Sequence, residues 1–180
     1  MYYLNPRIWH RYITGHHFRP NLHIRDISEI PVPLLKQKQI KGLIFDVDNT
    51  LTEHHQRALF HKAGPALEKL QKEFKCVIFS NCGPVRHKEL LEIFSLPVVE
   101  YGYKKPNKDG FIRAAHILQL DLHQVAMVGD RLLTDIIGAN QLGIFSILVD
   151  PFSGHEPGRI RLFRSIERNR LRRLNKKRPS

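Results

Sequence analysis

The chain has few of the residues that define several protein classes: two cysteines, Cys76 and Cys82, one tryptophan and two methionines in 180 residues. Two thiols build no disulfide framework, so a small secreted scaffold is excluded and a reducing compartment is the default. Nowhere do about eighteen apolar residues run together, the length a membrane-crossing helix needs. The N-terminus lacks the unbroken apolar core and small-residue cleavage site of a secretory signal. Acid is missing until Asp26, while Arg7, Arg11, Arg19 and Arg25 come earlier. That is the composition of an organellar transit peptide, although Pro6, Pro20 and scarce Ser and Thr weigh against it.

What is present is positive charge, unevenly placed. Residues 159–180 hold ten basic side chains against one acid, Glu167, and so carry +9 of the formal +12, leaving +3 for the rest. In that segment Ile160, Phe163, Ile166, Leu171 and Leu174 recur at roughly helical spacing among arginines, the pattern of a basic amphipathic helix. The length fits one domain, and 42% hydrophobic residues suffice for a core.

Between the tails, short apolar runs alternate with helix-period segments. The pattern predicts strands at 43–48, 76–80, 98–101, 125–130 and 145–150, and helices near 64–73, 84–95, 107–119 and 132–142. Such alternation implies an α/β fold with a mainly parallel sheet and helices on both faces. The strand runs are apolar almost throughout, as expected when both sheet faces are covered. The expected organisation is an N-terminal arm over 1–39 packed on the domain, a core over 40–157 and a basic amphipathic tail over 158–180.

The run "KGLIFDVDNTL" drives the first core strand into Asp46 and Asp48, whose alternate positions point the same way on a strand. In open parallel sheets ligands bind beyond the carboxyl ends of the strands. Two further strands end in polar groups there: "CVIFSNC" brings Ser80 and Asn81, and "VAMVGDRLLTD" brings Asp130 and Asp135. Singly, each has a plainer role. A strand-end Asp commonly caps a turn, Gly129 lets a backbone bend, and Lys105 before Pro106 reads as a solvated loop lysine. Jointly they gather carboxylates whose repulsion a hard cation relieves, and oxygen ligands of this kind suit Mg²⁺.

In this order, "DVDNT", the Ser of "IFSNC", Lys105 in "KKP" and "GDRLLTD" resemble the four motifs of the haloacid dehalogenase (HAD) superfamily of aspartate-nucleophile phosphotransferases, over Gly42 to about Pro151. The resemblance implies a HAD-like Rossmannoid three-layer sandwich. It assigns Asp46 as nucleophile and Asp48 as general acid and base. Mg²⁺ would be held by Asp46, the backbone carbonyl of Asp48 and Asp130, with Asp135 in support. Thr50, Ser80, Asn81 and Lys105 would line the substrate, with Ser80 and Lys105 on the phosphoryl group and Thr50 also bonding the backbone near the nucleophile. The stretches "PNLHIRDISEIPVPLLKQKQIKGLIFDVDNTLT" and "VGDRLLTDIIGANQLGIFSILVDP" further resemble the YqeG-type branch, which includes mitochondrial-type phosphatidylglycerophosphatases. Cys82 departs from that branch's pattern, where a small polar residue is usual.

Only 29 residues separate Thr50 from Ser80 and 24 separate Ser80 from Lys105, leaving no room for a large cap domain. A site without a cap suits a large or membrane-held substrate. The leading expectation is therefore a Mg²⁺-dependent phosphatase acting on a lipid phosphate, with the tail on an anionic membrane. The protein would be cytoplasmic and peripherally membrane-associated, or on the mitochondrial matrix side. The alternatives are a phosphatase for a soluble or nucleic-acid phosphate, with the tail on the polyanion, and a non-catalytic scaffold that binds membrane or RNA. Oligomeric state stays open. His54 and His55 read as surface residues, and Trp9, Tyr2, Tyr3 and Ile8 as packing against the core.

Overall fold

The strands form where the apolar runs predict them, with one exchange. The computed structural model describes residues 16–53 and 58–152. Within them, β1 (Leu22–Ile24), β2 (Gly42–Phe45), β3 (Lys75–Ile78), β4 (Val125–Gly129) and β5 (Phe145–Val149) form one parallel sheet in the order β1-β5-β4-β2-β3. Helices α1 (Val32–Gln37), α2 (Ala63–Gln71), α3 (Pro84–Ile93) and α4 (Lys108–Leu118) connect them, and a π-helical turn at Leu132–Ile136 runs into a short α5 (Ile137–Asn140). The α/β class and the parallel sheet read from the sequence are those of the structure.

The exchange is at the sheet edges. Residues 98–101, expected as a strand, make only an isolated bridge, Ile78 to Val98. Pro97 accepts a bond from the Ile78 amide at 2.9 Å but has no N–H to return, and the pairing stops after Val99 donates to Ile78 at 2.8 Å. The fifth strand comes instead from Leu22–Ile24, which pairs with Ile147–Val149. Three residues with a histidine in the middle are too short to carry a period.

Alternation along β2 decides the layering. Leu43 and Phe45 face a cluster with Leu35 of α1, Leu67 and Leu70 of α2 and Leu90 of α3, whereas Ile44 faces Phe111, Ala114, Ala115 and Leu118 of α4. Those four α4 positions follow the i, i+3, i+4, i+7 spacing of a single buried stripe. Asn107 caps the helix by accepting from the Asp109 amide at 3.1 Å, and Pro84 occupies the first turn of α3 where its missing N–H costs nothing. β2 lies between β3 and β4, so the chain changes direction across the sheet at this strand, and a crevice opens beyond its carboxyl end.

Candidate active site

The nucleophile candidate is fixed by the ladder itself. The Asp46 amide donates to the Val128 carbonyl of β4 at 2.9 Å, one rung past the end of β2. Beyond it the chain turns back sharply: the amides of Thr50, Leu51 and Thr52 all donate to Val47 O at 2.8–3.1 Å, and Asn49 takes a left-handed φ of 65°. Asparagine tolerates that region better than most residues. Up to α2, the described residues form only turns and isolated bridges, so no covering domain is inserted here.

Three carboxylates converge on this point. Asp46, Asp130 after β4 and Asp135 in the π-helical turn are all buried, and each offers an oxygen within 4.8 Å of the others. Lys105, 2% exposed, donates to Asp46 Oδ1 and, at 2.7 Å, to Asp135 Oδ1. Burial pushes the Asp46 carboxyl up to about 8; Lys105 opposes this, and Asp135 and Asp130 add to it. On Lys105 burial favours the neutral amine, but Asp135 and Asp46 outweigh it and hold the ammonium. One ammonium among three buried carboxylates leaves a deficit of positive charge. That deficit, with oxygen donors alone, fits a hard dication.

Supporting contacts explain why these side chains stay where they are. Asp135 Oδ2 accepts from the Arg131 amide at 3.0 Å and Oδ1 from the Thr134 hydroxyl at 3.3 Å. Gly129 makes the close approach possible: a Cβ there would stand 2.3 Å from Asp135 Oδ2 and 2.4 Å from its Cγ. Asn81 clasps the backbone of Lys105, donating to its carbonyl at 2.8 Å and accepting from its amide at 2.6 Å. Beyond the roles the sequence suggested, substrate contact for Asn81 and free backbone for Gly129, each acts on a neighbouring charged residue.

Asp48 stands apart from the carboxylate cluster. Its side chain keeps 20% of its surface, and its Oδ1 accepts from Arg86 at 3.4 Å, while Arg86 also donates to Glu89 at 3.0 Å. Arg86 is 7% exposed, in the first turn of α3. Sequence reasoning passed over it because Asp48 lies 38 residues earlier. Ser80 is half-buried at the end of β3, on the same rim. Thr50 is fully buried, and its hydroxyl makes no hydrogen bond among the described residues, so the expected bond to the loop backbone is not formed. Cys82 is buried and its thiol is pushed up, chiefly by that burial. His54 and His55, the residues before 16 and the tail from 153 lie outside the described residues.

Comparison with known proteins agrees with this arrangement. The family described as mitochondrial PGP phosphatase matches residues 9–151. The probable phosphatase YqeG of Bacillus subtilis (strain 168) is 32% identical over 161 residues, covering 89% of this chain and 93% of that protein. Phosphatidylglycerophosphate phosphatase 1 of Arabidopsis thaliana, described as chloroplastic/mitochondrial, is 29% identical over 175 residues, covering 88% of this chain and 48% of the longer relative. Among solved structures, a HAD phosphatase from Thermococcus onnurineus shares the fold with a TM-score of 0.54 at 15% identity, over 66% of this chain and 89% of that one. A family match over most of the chain, joined to a relative covered almost end to end, makes this protein a phosphatase of the mitochondrial PGP phosphatase family.

Proposed function

We propose that the protein hydrolyses the terminal phosphomonoester of phosphatidylglycerol phosphate, releasing phosphatidylglycerol and inorganic phosphate. The observation that carries this is Asp46, held by Lys105 beside two more buried carboxylates, in a crevice that no inserted domain covers among the described residues. Asp46 attacks phosphorus and forms an aspartyl-phosphate as the bond to the glycerol oxygen breaks. Asp48, more exposed and outside the cluster, gives its proton to that leaving oxygen, then takes one from the water that attacks the phosphoryl-enzyme. Lys105 offsets charge on Asp46 and the transferred oxygens, and Ser80 donates to one of those oxygens. Asn81 keeps Lys105 in register through its backbone. Mg²⁺ fits the carboxylate set, with Asp46, Asp130 and the Asp48 carbonyl as ligands and Asp135 in support. When bound, it supplies positive charge where the transferring phosphoryl group accumulates negative charge.

An uncovered crevice admits a phosphate still anchored in a bilayer. The family name and the relative's name support the same substrate, and the relative's chloroplastic/mitochondrial description supports an organellar setting, for which we propose a matrix-side membrane surface. No helix among the described residues is long and apolar enough to cross a membrane. We assign membrane attachment to the basic tail over 158–180, each Lys or Arg near an anionic surface contributing about 1 kcal/mol.

The test is a phosphate-release screen of the full chain, with Mg²⁺ and with chelator, over phosphatidylglycerol phosphate in vesicles, nucleotides, sugar phosphates and phospho-oligonucleotides. Phosphatidylglycerol phosphate should dominate, and only with Mg²⁺. Faster release from oligonucleotides would transfer the assignment to a nucleic-acid phosphatase, whose polyanion the same tail would bind. Truncation after Pro157 should abolish sedimentation with anionic vesicles while sparing a soluble aryl phosphate; undiminished sedimentation removes the tail from the anchor.

A further inference from the structure

Two cations near the site are not used by the hydrolytic steps: Arg86 beside Asp48, and Lys104 against the loop after Ser80. Arg86 reaches Asp48 at 3.4 Å, long for a charge-assisted bond, which runs about 2.7–2.9 Å. Arg86 also holds Glu89 at 3.0 Å, so an arriving anion competes with the longer Asp48 contact while the Glu89 pair stays. Lys104, exposed, donates to the carbonyl of Cys82, and its ammonium stands 5.3 Å from the centre of the Tyr101 ring. Lys104 thus holds the loop that runs into α3, whose first turn carries Arg86. Tyr101 in turn packs against His87 of α3, with ring centres 6.2 Å apart, so the loop carrying Lys104 is fastened to the helix carrying Arg86.

Placement gives these cations a meaning. The leaving oxygen has to meet Asp48, so whatever the leaving alcohol carries extends outward past Asp48. A negative group a few bonds from that oxygen arrives between Arg86 and Lys104. We propose that Arg86 and Lys104 form a second anion subsite that takes a phosphodiester carried by the leaving alcohol, and so selects substrates with two phosphates over simple phosphomonoesters. The subsite rests on Asp48 acting on the leaving oxygen, as proposed above. An arginine suits the planar, two-oxygen face of a phosphodiester, and a lysine adds a point charge. By drawing Arg86 away from Asp48, the second anion also leaves that carboxyl to the leaving oxygen.

Three substrates test this with the full chain: glycerol 3-phosphate, the deacylated glycerophosphoglycerol phosphate, and phosphatidylglycerol phosphate in vesicles. The first lacks the second anion, the second has it without a lipid, and the third has both. The ratio of kcat/KM for the deacylated two-phosphate substrate over glycerol 3-phosphate should exceed one in the unmodified protein. Lys104→Gln should lower that ratio about tenfold, mainly through KM, and Lys104→Glu should lower it further. Arg86→Gln should act the same way, with Arg86→Lys restoring part of the loss. Because Arg86 is buried and its variants can lose the fold, a thermal melt accompanies them, and the exposed Lys104 decides if they do. Equal losses on both soluble substrates, or no preference in the unmodified protein, would overturn the subsite. Preference for the deacylated substrate with none for the vesicle lipid would keep the subsite and overturn the lipid assignment. Turnover of the lipid with an unaltered ratio in Lys104→Glu would do the reverse.

Discussion

Asp46, Asp135 and Lys105, at 8%, 0% and 2% exposure, and Asp48 with Arg86 on the rim are built from the same residue types in two environments. In the inner group water is gone, each charge is fixed by a neighbour, and small displacements are expensive because the low dielectric magnifies them. In the outer group a 20% exposed carboxylate and a 3.4 Å ion pair leave room for partners to exchange. The inner half is suited to holding one arrangement, the outer half to receiving something. Charged side chains of one kind serve both purposes; Arg86 is as buried as Asp46, and what sets the rim apart is the exposure of Asp48 and the length of its ion pair.

The sharpest way to break the inner half is Asp46→Asn. An amide of the same shape is a poor nucleophile, so phosphate release should fall by roughly a thousandfold or more while circular dichroism stays unchanged. Release at the unmodified rate would remove Asp46 from the chemistry. Next in size is Gly129→Ala. Its methyl would stand 2.3 Å from Asp135 Oδ2, so Asp135 has to leave its 2.7 Å contact with Lys105. We expect activity to drop about a hundredfold and overpacking to cost about 1–3 kcal/mol in denaturant melts. An active, equally stable Gly129→Ala protein would show that Asp135 need not be held there.

Asn81→Ala sharpens the boundary between the halves. With the Lys105 backbone released, kcat should fall about tenfold with little change in KM, since the lysine drifts without being lost. A rise in KM with kcat intact would instead assign Asn81 to the substrate. The smallest effect is remote from the site. Burial pushes the Cys76 thiol up to about 12 from an ordinary 9.0. In the unfolded chain this thiol ionises near 9 and in the folded one only near 12, so its contribution to stability is full below about 9 and fades as pH rises toward 12. The urea midpoint should therefore fall less between pH 8 and pH 11 in Cys76→Ala than in the unmodified protein; parallel falls would remove Cys76 from the alkaline response.

Asp46, Asp48, Ser80 and Asp130 stood out in the sequence because each follows an apolar strand run, and strand ends converge in a parallel sheet whatever the side-chain detail; Asp135 stood out by its place five residues after Asp130, and Lys105 only through the motif resemblance. The four core strands were legible for the same reason: burial on both faces writes a continuous apolar run. β1 was not, since Leu22–Ile24 is shorter than any period and owes its conformation to Ile147–Val149. Residues 98–101 misled in the opposite direction, with strand-forming side chains behind a proline that halts the ladder. Arg86 and Gly129 escaped for a further reason. Each matters through one distant side chain, and neither sequence spacing nor residue type reports that a guanidinium meets Asp48 or that a missing methyl admits Asp135.

The Asp46 amide is itself a rung of the β2–β4 ladder, and β2 has a neighbour on each side while β1 and β3 are the edges. In hydrogen-exchange terms, opening that begins at an edge strand has to travel inward before it reaches this amide, so Asp46 belongs with the slowest-exchanging unit of the sheet. In the turn that follows, the amides of Thr50, Leu51 and Thr52 share the Val47 carbonyl, Asn49 donates to Thr52 O at 2.7 Å, and Phe60 donates to Leu51 O at 2.9 Å. Thr50, Leu51 and Thr52 are fully buried, so the turn is packed against the core beside that rung. The attacking group is thereby anchored on the timescale of global unfolding, and the buried turn that follows is held with it.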